Sequence, residues 1–393
     1  MERKIKVLHI LSSHVYSGAE NVVYQIVNMF RDDPEYEMLY CSPDGPIREA
    51  LKARQVPFRP VAKVGYPELK QVIREYQPDI IHAHDVKAGI VAAATAGKIP
   101  VISHIHACFD TMTRVSVKSL SYLAVSWKFK KIFWVSDSSL KRYAFSKVVQ
   151  GKSQVLYNVI DKQRLTDQIQ ADQEMYDYDV VFLGRFTDQK NPERLVRILT
   201  SVQKKMKEAA EEEWRAEEQR AEERRAETQD EEKQRKEKQL VNRKKQRKLQ
   251  AAMIGTGELY DLVKQIVETR GLSQVILLPG YMSNPYKALK SAKVFLMASR
   301  YEGTPMSVLE AMALGVPVVS TPVDGIADVV EPGVNGYLEE EDDALTEKII
   351  FLLNNPEKQK EMSAAASRHF DEICNLEHYK EILNQTYQTV IRE

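Results

Sequence analysis

Short apolar runs alternate with amphipathic segments along most of this chain. The runs occupy residues 5–11, 38–41, 80–83, 101–105, 132–135 and 155–157 in the first half, and 180–183, 251–254, 275–278, 294–298 and 316–319 in the second. Runs this short and this rich in β-branched residues, separated by helical periodicity, are typical of buried strands in βα units. The pattern predicts an α/β protein with parallel sheets.

A polar stretch near residues 161–179 separates the two sets of runs. Since 393 residues are enough for two domains, we predict two Rossmann-like domains, at residues 1–160 and 161–375. The final segment, 376–393, has the pattern of one more amphipathic helix. Ligands bind at the carboxyl ends of strands in such sheets, so residues that directly follow a strand are candidate site residues.

Residues 204–248 interrupt the second set of runs with Glu, Lys, Arg, Gln and Ala and no apolar stripe. Propensity and i,i+4 pairs of opposite charge favour a helix. The flanking helix and strand are normally joined by about 2–6 residues, so an ordered insert must return to its starting point. We predict a protruding helical hairpin that turns near 228–230 and takes no part in catalysis. A frayed, solvated segment is the alternative conformation. Whichever conformation it adopts, the sequence is compatible with a natural insertion and with an engineered one.

The overall composition excludes several classes of protein. The net charge is zero, which gives no general attraction to nucleic acid. The three cysteines, Cys41, Cys108 and Cys374, form no metal-binding or disulfide spacing, which indicates a reducing compartment. Residues 1–10 lead directly into a strand pattern without a signal-peptide core, and no apolar run is long enough to span a bilayer. We therefore expect a cytoplasmic protein.

Two glutamates, Glu302 and Glu310, stand eight apart in a predicted strand–turn–helix–strand unit at residues 299–321. The free N–H groups at the start of such a helix suit a phosphate, and two nearby carboxylates suit sugar hydroxyls. The expected boundaries of the helix are a turn at Gly303, an N-cap at Thr304, a first helical residue at Pro305 and an αL stop at Gly315.

Two cations lie on the loop that follows the run at 180–183. Arg185 and Lys190 come between Gly184 and the Asn191–Pro192 pair that opens the next helix. Fixed cations at this edge match a diphosphate and would stabilise negative charge on a departing phosphate, which can replace a metal. Two solvated surface cations are the alternative.

Weaker signals follow other runs. Gly18 lies in the first loop, where it would let the backbone approach a phosphate or sugar. Gly255, Gly257 and Glu258 resemble half of a dinucleotide fingerprint, and the segment containing Tyr281 would pair with a nucleobase edge. Ordinary turn glycines are the alternative for Gly18 and for the Gly255–Gly257 pair.

Histidines cluster in the first half, where His82, His84, His104 and His106 end two successive runs. Alternation puts His104 and His106 on the same face of the sheet. Because no dense ligand spacing accompanies them, we predict no metal site. His106 is the preferred sugar-hydroxyl ligand or proton handler, and core roles are expected for the others.

Residues 114–131 mix basic side chains with aromatic and aliphatic ones. Such a stretch could lie on an anionic membrane surface. The alternative is a helix that packs on its own domain.

Together these motifs resemble the retaining glycosyltransferases of the GT-B fold in glycosyltransferase family 4, also called group 1. The likeness covers nearly the whole chain except the charged insert. It rests on the Glu302–Glu310 pair (the family's EX7E motif) and on further residues that match family motifs, namely Gly18, His106, Gly184, Arg185, Lys190, Gly255, Gly257 and Glu258.

The resemblance implies two Rossmann-like domains facing across a cleft, with helix 376–393 crossing back onto the first. Arg185 and Lys190 would hold the diphosphate of a nucleotide-sugar, and Glu310 would bind the ribose hydroxyls. Glu302 would hold the donor sugar together with the backbone of residues 303–304. No protein nucleophile, metal or other cofactor is implied, since the nucleotide-sugar is a substrate.

The implied activity is transfer from a nucleotide-sugar, by default a UDP-sugar, to a glycan or lipid-linked acceptor in cell-surface polysaccharide or capsule synthesis. Residues 114–131 would then favour peripheral association with the inner membrane face. Two alternatives are a 2-epimerase acting on the nucleotide-sugar alone and a catalytically silent binding or scaffold protein that docks through the charged insert.

Overall fold

The computed structural model describes residues 3–15, 17–107, 110–226 and 248–392. Two parallel sheets organise these residues. The first has seven strands in the order β3-β2-β1-β4-β5-β6-β7, and the second has six in the order β10-β9-β8-β11-β12-β13. In both sheets the chain reverses its direction of winding beside the first strand, which is where doubly wound sheets bind ligands.

The first sheet is flanked by helices throughout. Its strands are β1 (Ile5–Ile10), β2 (Tyr36–Pro43), β3 (Phe58–Val61), β4 (Ile80–Ala83), β5 (Val101–Ile105), β6 (Phe129–Trp134) and β7 (Ser153–Val155). The helices that precede β8 along the chain are α1 (Gly18–Met29), α2 (Ile47–Ala53), α3 (Tyr66–Tyr76), α4 (Val86–Thr95), α5 (Asp110–Thr113), α6 (Val117–Ser126), α7 (Asp137–Arg142), α8 (Ser146–Val149) and α9 (Lys162–Ala171).

The second sheet repeats the arrangement. Its strands are β8 (Val180–Leu183), β9 (Ala251–Ile254), β10 (Ile276–Gly280), β11 (Val294–Met297), β12 (Val318–Ser320) and β13 (Gly336–Leu338). The helices from β8 to the end of the described residues are α10 (Pro192–Ala226), α11 (Tyr260–Thr269), α12 (Tyr286–Ser291), α13 (Met306–Ala313), α14 (Asp324–Ala327), α15 (Asp342–Asn354), α16 (Pro356–Ile373) and α17 (Leu376–Arg392). The α/β architecture with two Rossmann-like sheets is therefore confirmed.

Two parts of the sequence interpretation differ from the structure. Strands β3 and β13 were not among the predicted runs, because they are short and carry Arg59, Pro60 and Gly336 among few apolar residues. Segment 114–131 is not one element, because α6 ends at Ser126 and β6 begins at Phe129. Its buried residues, such as Tyr122 and Phe129, pack on the first domain.

The charged segment begins as a continuation of α10, in which Val202 is the last buried residue among the side chains that the structure describes. The backbone N–H of Leu249 donates to Gln203 Oε1 at 2.8 Å, so the two ends of the segment lie side by side. A long helical insertion is thus present, as predicted. The predicted turn near 228–230 and the returning arm to residue 247 lie outside the described residues.

The last helix, α17, lies against the first sheet. Tyr387 is buried there and its hydroxyl lies 2.9 Å from His82 Nδ1, while Asn384 accepts a hydrogen bond from the Tyr36 hydroxyl at 2.5 Å. No helix in the described part of the chain combines the length and the apolar character needed to cross a membrane.

Candidate active site

The loop after β11 carries the EX7E motif and differs at its helix boundary from the prediction. Helix α13 begins at Met306 with Pro305 as its N-cap, one residue later than expected. The Thr304 hydroxyl does not cap the helix, because it donates to the carbonyl of Val135 at 2.5 Å. Gly315 ends the helix in the left-handed region, with φ +69°, as predicted.

Glu302 and Lys190 come together although 112 residues separate them. Lys190, in a 3₁₀ turn after β8, places Nζ 2.6 Å from Glu302 Oε1. The side chains are 11% and 6% exposed, so the pair is almost removed from solvent. Gln189 supports the loop by donating to the carbonyl of Tyr301 at 3.0 Å. A buried pair of this kind is weak evidence for stability, but it fixes a cation and a carboxylate in place.

Glu310 is buried on α13 and accepts a hydrogen bond from the Tyr286 hydroxyl at 3.2 Å. Burial raises the pKa of Glu310 from 4.5 to about 7, against the opposing effects of the Tyr286 hydrogen bond and the Arg164 charge. A buried carboxyl that titrates near neutrality is a candidate for a functional site.

The ends of β8, β9 and β10 are joined through glycines. Gly184 N–H donates to Ile254, and Gly255 N–H donates to Gly280 at 2.8 Å. Gly255 has φ +134°, and an added Cβ would lie 1.9 Å from the Gly184 carbonyl oxygen, so no other residue fits. Arg185 is an exposed side chain on this edge.

Glu258 and Tyr281 are also exposed on this strand-end edge, Tyr281 by 69%. Gly257 packs against Phe186, since a Cβ there would lie 2.5 Å from the Phe186 carbonyl oxygen. The predicted residues of the second domain therefore share one edge, where Lys190 and Glu302 form an ion pair and Gly184 and Gly255 lie in backbone contact.

Gly18 starts α1 and lies next to the second domain. A Cβ on Gly18 would be 3.7 Å from Met306 Cγ, so the N-termini of α1 and α13 approach each other. Ser17 and Glu20 hold this turn, because the Ser17 N–H and hydroxyl both donate to Glu20 Oε2, at 3.0 and 2.6 Å. The predicted residue of the first loop thus reaches the EX7E helix.

His106 meets the same loop from the end of β5. A Cβ on Gly303 would lie 2.0 Å from the His106 carbonyl oxygen, so the two backbones touch across the cleft. The His106 ring is partly buried, with Nε2 3.1 Å from His84 Nδ1. Burial lowers the pKa of His106 to about 3, so the ring is neutral at physiological pH.

Several residues that join the two domains or pack against the EX7E loop were not predicted. Asn158 donates to the Thr304 carbonyl at 2.9 Å, and Asp328 accepts from the N–H and hydroxyl of Ser138 at 3.1 and 2.8 Å. Gly325 packs against the EX7E loop so closely that a Cβ would overlap the Gly303 carbonyl. The Asp324–Gly325 pair after an apolar run was the available signal for this last contact.

Two family models match the chain. Residues 236–369 match glycosyl transferases group 1, and residues 16–164 match glycosyltransferase family 4. The family 4 match spans strands β2 to β7 of the first sheet, and the group 1 match spans strands β9 to β13 of the second.

Curated relatives resemble parts of the chain. The poly(ribitol-phosphate) α-N-acetylglucosaminyltransferase of Staphylococcus aureus (strain COL) is 31% identical over 132 residues, which is 33% of this chain and 27% of that protein. The uncharacterized glycosyltransferase MJ1059 of Methanocaldococcus jannaschii is 24% identical over 292 residues, which is 67% of this chain and 60% of that one. The chain thus spans less than two thirds of either relative.

A solved structure matches the fold. HepE of Anabaena, in complex with UDP-glucose, superposes with a TM-score of 0.74 at 18% identity, covering 98% of this chain and 100% of that one. With its two sheets, its two family matches and this GT-B neighbour, the chain belongs to the GT-B glycosyltransferases of group 1, family 4.

Proposed function

We propose that this protein is a retaining glycosyltransferase that moves a sugar from a UDP-sugar to a hydroxyl of a glycan or lipid-linked acceptor. The observation that carries the proposal is the nearly buried Lys190–Glu302 pair beside the start of α13, with the buried Glu310 on that helix. The UDP-glucose complex of HepE supports the choice of nucleotide.

In the proposed donor site, Lys190 and the exposed Arg185 bind the diphosphate, and Arg185 is suited to bidentate contact. Glu310 accepts hydrogen bonds from the ribose hydroxyls. Glu302 and the backbone of residues 303–305 hold the donor sugar. The remaining contacts come from Gly18 and from the strand-end residues Gly255, Gly257, Glu258 and Tyr281.

The reaction proposed for this site keeps the anomeric configuration. The acceptor oxygen bonds to the anomeric carbon as the bond from that carbon to the phosphate oxygen breaks on the same face. The acceptor proton passes to the departing phosphate oxygen. Arg185 and Lys190 stabilise the charge on the diphosphate, a role that suits cations fixed in position before the reaction.

The acceptor is proposed to be a growing surface polymer or its lipid-linked precursor. The support is the relative from Staphylococcus aureus, whose name describes transfer to poly(ribitol-phosphate). A catalytically silent scaffold is the competing function, and transfer to any acceptor would exclude it.

Peripheral binding to an anionic membrane is part of the same proposal. Val117 on α6 is 84% exposed and Trp127 is 70% exposed, with the exposed Arg114 nearby. Exposed apolar side chains beside basic ones suit the boundary between headgroups and acyl chains. A Val117→Ser/Trp127→Ser variant should bind vesicles containing anionic lipid more weakly than wild type. Met175→Ser, which removes an apolar side chain that is 88% exposed, is the matched control and should bind normally.

The donor site is tested by thermal unfolding with UDP-, GDP- and ADP-sugars, each with and without EDTA. A ligand that binds only the folded state raises the melting temperature by mass action. We expect a shift with UDP-sugars that EDTA leaves unchanged, and retention of configuration in the product. A shift with another nucleotide would correct the donor, and a strict metal requirement would overturn the mechanism.

A further inference from the structure

Five histidines lie on one face of the first sheet, near the carboxyl ends of three adjacent strands. His9 belongs to β1, His82 and His84 to β4 and the residue after it, and His104 and His106 to β5 and the residue after it. The parallel register places His9 beside His82. His9, His82, His84 and His104 are fully buried, and His106 is the member next to the cleft.

A metal ion is the first explanation to consider, because nitrogens of His84, His104 and His106 lie within 4.8 Å of one another, and so do those of His9, His82 and His84. The ring orientations argue against it. Each group contains a stacked pair: His104 and His106 have centroids 4.3 Å and planes 27° apart, and His82 and His84 have centroids 4.2 Å and planes 28° apart. The lone pairs of imidazole nitrogens lie in the ring plane, so stacked rings do not direct them to one point.

The contacts within the cluster instead form a linear series of hydrogen bonds, which we call the histidine chain. His106 Nε2 lies 3.1 Å from His84 Nδ1, and His84 Nε2 lies 2.9 Å from His9 Nδ1. The chain ends where His9 Nε2 lies 3.3 Å from the sulfur of Met38. Burial lowers the pKa of all three rings, so each is neutral and carries a single N–H.

Met38 determines the direction of this chain. A thioether sulfur only accepts hydrogen bonds, so His9 must present Nε2–H to it. The Nδ1 of His9 is then an acceptor and takes the proton of His84 Nε2–H. In turn His84 Nδ1 accepts from His106 Nε2–H. The opposite direction would leave two lone pairs facing each other at Met38.

We propose that Met38, His9 and His84 are positioning residues that fix His106 as its Nε2–H tautomer and present Nδ1 as an acceptor for a sugar hydroxyl. His106 Nδ1 is buried and has no hydrogen-bond partner within the described part of the chain. A buried acceptor left unpaired calls for an explanation, and a substrate hydroxyl is a donor that would satisfy it. This role for Nδ1 rests on the proposed sugar transfer, whereas the tautomer of His106 does not.

The tautomer is measured directly by two-bond ¹H–¹⁵N correlation spectra of protein labelled with ¹⁵N-histidine. Signals of His106 are assigned from their loss in His106→Gln. In the wild type we expect Nε2–H at His106, His84 and His9. Met38→Leu should give a mixture at His106, because the chain no longer has an acceptor at its end. Met362→Leu, at a buried methionine in the second domain, is the control and should leave the tautomers unchanged.

A matched pair at His84 separates tautomer control from simple packing. The amide of His84→Asn occupies the position of the imidazole Nδ1 and can accept from His106 Nε2–H, whereas His84→Leu cannot. Both variants lose the same ring stacking. We expect His84→Asn to keep the His106 tautomer and His84→Leu to lose it. With the donor identified, kcat/KM should fall roughly tenfold more in His84→Leu, the loss typical of one hydrogen bond.

Three results would overturn the proposal. The first is Nδ1–H at His106 in the wild type. The second is an unchanged His106 tautomer in both Met38→Leu and His84→Leu. The third is stoichiometric uptake of Zn²⁺ by the five-histidine cluster, abolished in His84→Leu. If the tautomers behave as expected but no sugar transfer is found, the positioning chain stands and the proposed function fails.

Discussion

Lys190 Nζ lies 2.6 Å from Glu302 Oε1, and neither side chain is more than 11% exposed. Both residues were assigned to donor binding from their places after two strands. In the structure the two side chains form an ion pair. Glu302, which is proposed to bind the sugar, therefore fixes the Lys190 ammonium at the proposed diphosphate site. Stability and function are therefore coupled at this pair.

Lys190→Met should destabilise the protein by about 3 kcal/mol, because it leaves a buried carboxylate unpaired. Lys190→Met/Glu302→Gln should recover most of that loss while remaining inactive, since the diphosphate cation is still missing. Urea unfolding and a transfer assay measure the two effects. The control is Arg300→Met, which breaks an exposed pair with Asp188 and should cost less than about 1 kcal/mol. Full activity in the double variant would remove Lys190 from the site.

Glu310 should make stability depend on pH. Its pKa is about 7 in the folded protein and 4.5 when unperturbed, so between these values the folded state holds a proton that the unfolded state has lost. The free energy of unfolding therefore falls as pH rises through this window, by about 3 kcal/mol in all. Glu310→Gln should remove this fall and raise the melting temperature more at pH 8 than at pH 5.

The affinity for the donor should rise over the same pH range in which the free energy of unfolding falls, because both effects follow from the ionisation of Glu310. The ionised Glu310 is the stronger acceptor for ribose hydroxyls, so KM for the UDP-sugar should fall as pH rises through about 7. In Glu310→Gln the KM should be higher and independent of pH over this range. Glu347→Gln, at an exposed carboxylate on α15, should behave as wild type. A KM that keeps its pH dependence in Glu310→Gln would place the titrating group elsewhere.

The strand-end rule predicted where Glu302, Lys190 and Gly255 lie, because it depends only on local order along the chain. It did not predict that Thr304 would donate to Val135 or that Asn158 would hold the Thr304 carbonyl. Those contacts join residues 169 and 146 positions apart and arise from the closure of two domains. Nothing in the local pattern of any of these three residues specifies such a contact.

The sequence also predicted only part of the histidine chain. His82, His84, His104 and His106 were grouped because they end two successive runs, and alternation placed His104 and His106 on one face. His9 and Met38 belong to other strands, and only the register that pairs β1 with β2 and β4 brings them to the cluster. Register over such distances is decided by the whole sheet, which the local sequence does not reveal.

Replacing Gly303 or Gly325 with alanine should distinguish an effect on domain closure from an effect on folding. A Cβ on Gly303 would collide with His106 of the other domain, so the protein can relieve the contact by opening the cleft. A Cβ on Gly325 would collide with Gly303 within the same domain, which opening cannot relieve. We expect Gly303→Ala to keep its melting temperature but lose most activity and show a larger radius of gyration by X-ray scattering. Gly325→Ala should lower the melting temperature, and the reverse pattern would contradict this closure contact.

Removing the charged insert should leave the enzyme intact. Among the side chains described from residue 203 to 220, none is fully buried, and Leu249 N–H reaches Gln203 at 2.8 Å, so a short loop can join the ends. Replacing residues 207–247 with about six Gly and Ser residues restores an ordinary helix–strand connection. We expect the melting temperature, the UDP-sugar shift and turnover to stay near wild type. Leu199→Ala, in the buried part of the same helix, should cost about 2–5 kcal/mol and shows that the assay detects damage to α10. If turnover were lost while the fold and the donor shift survived, the insert would belong to acceptor recognition rather than stand apart from catalysis.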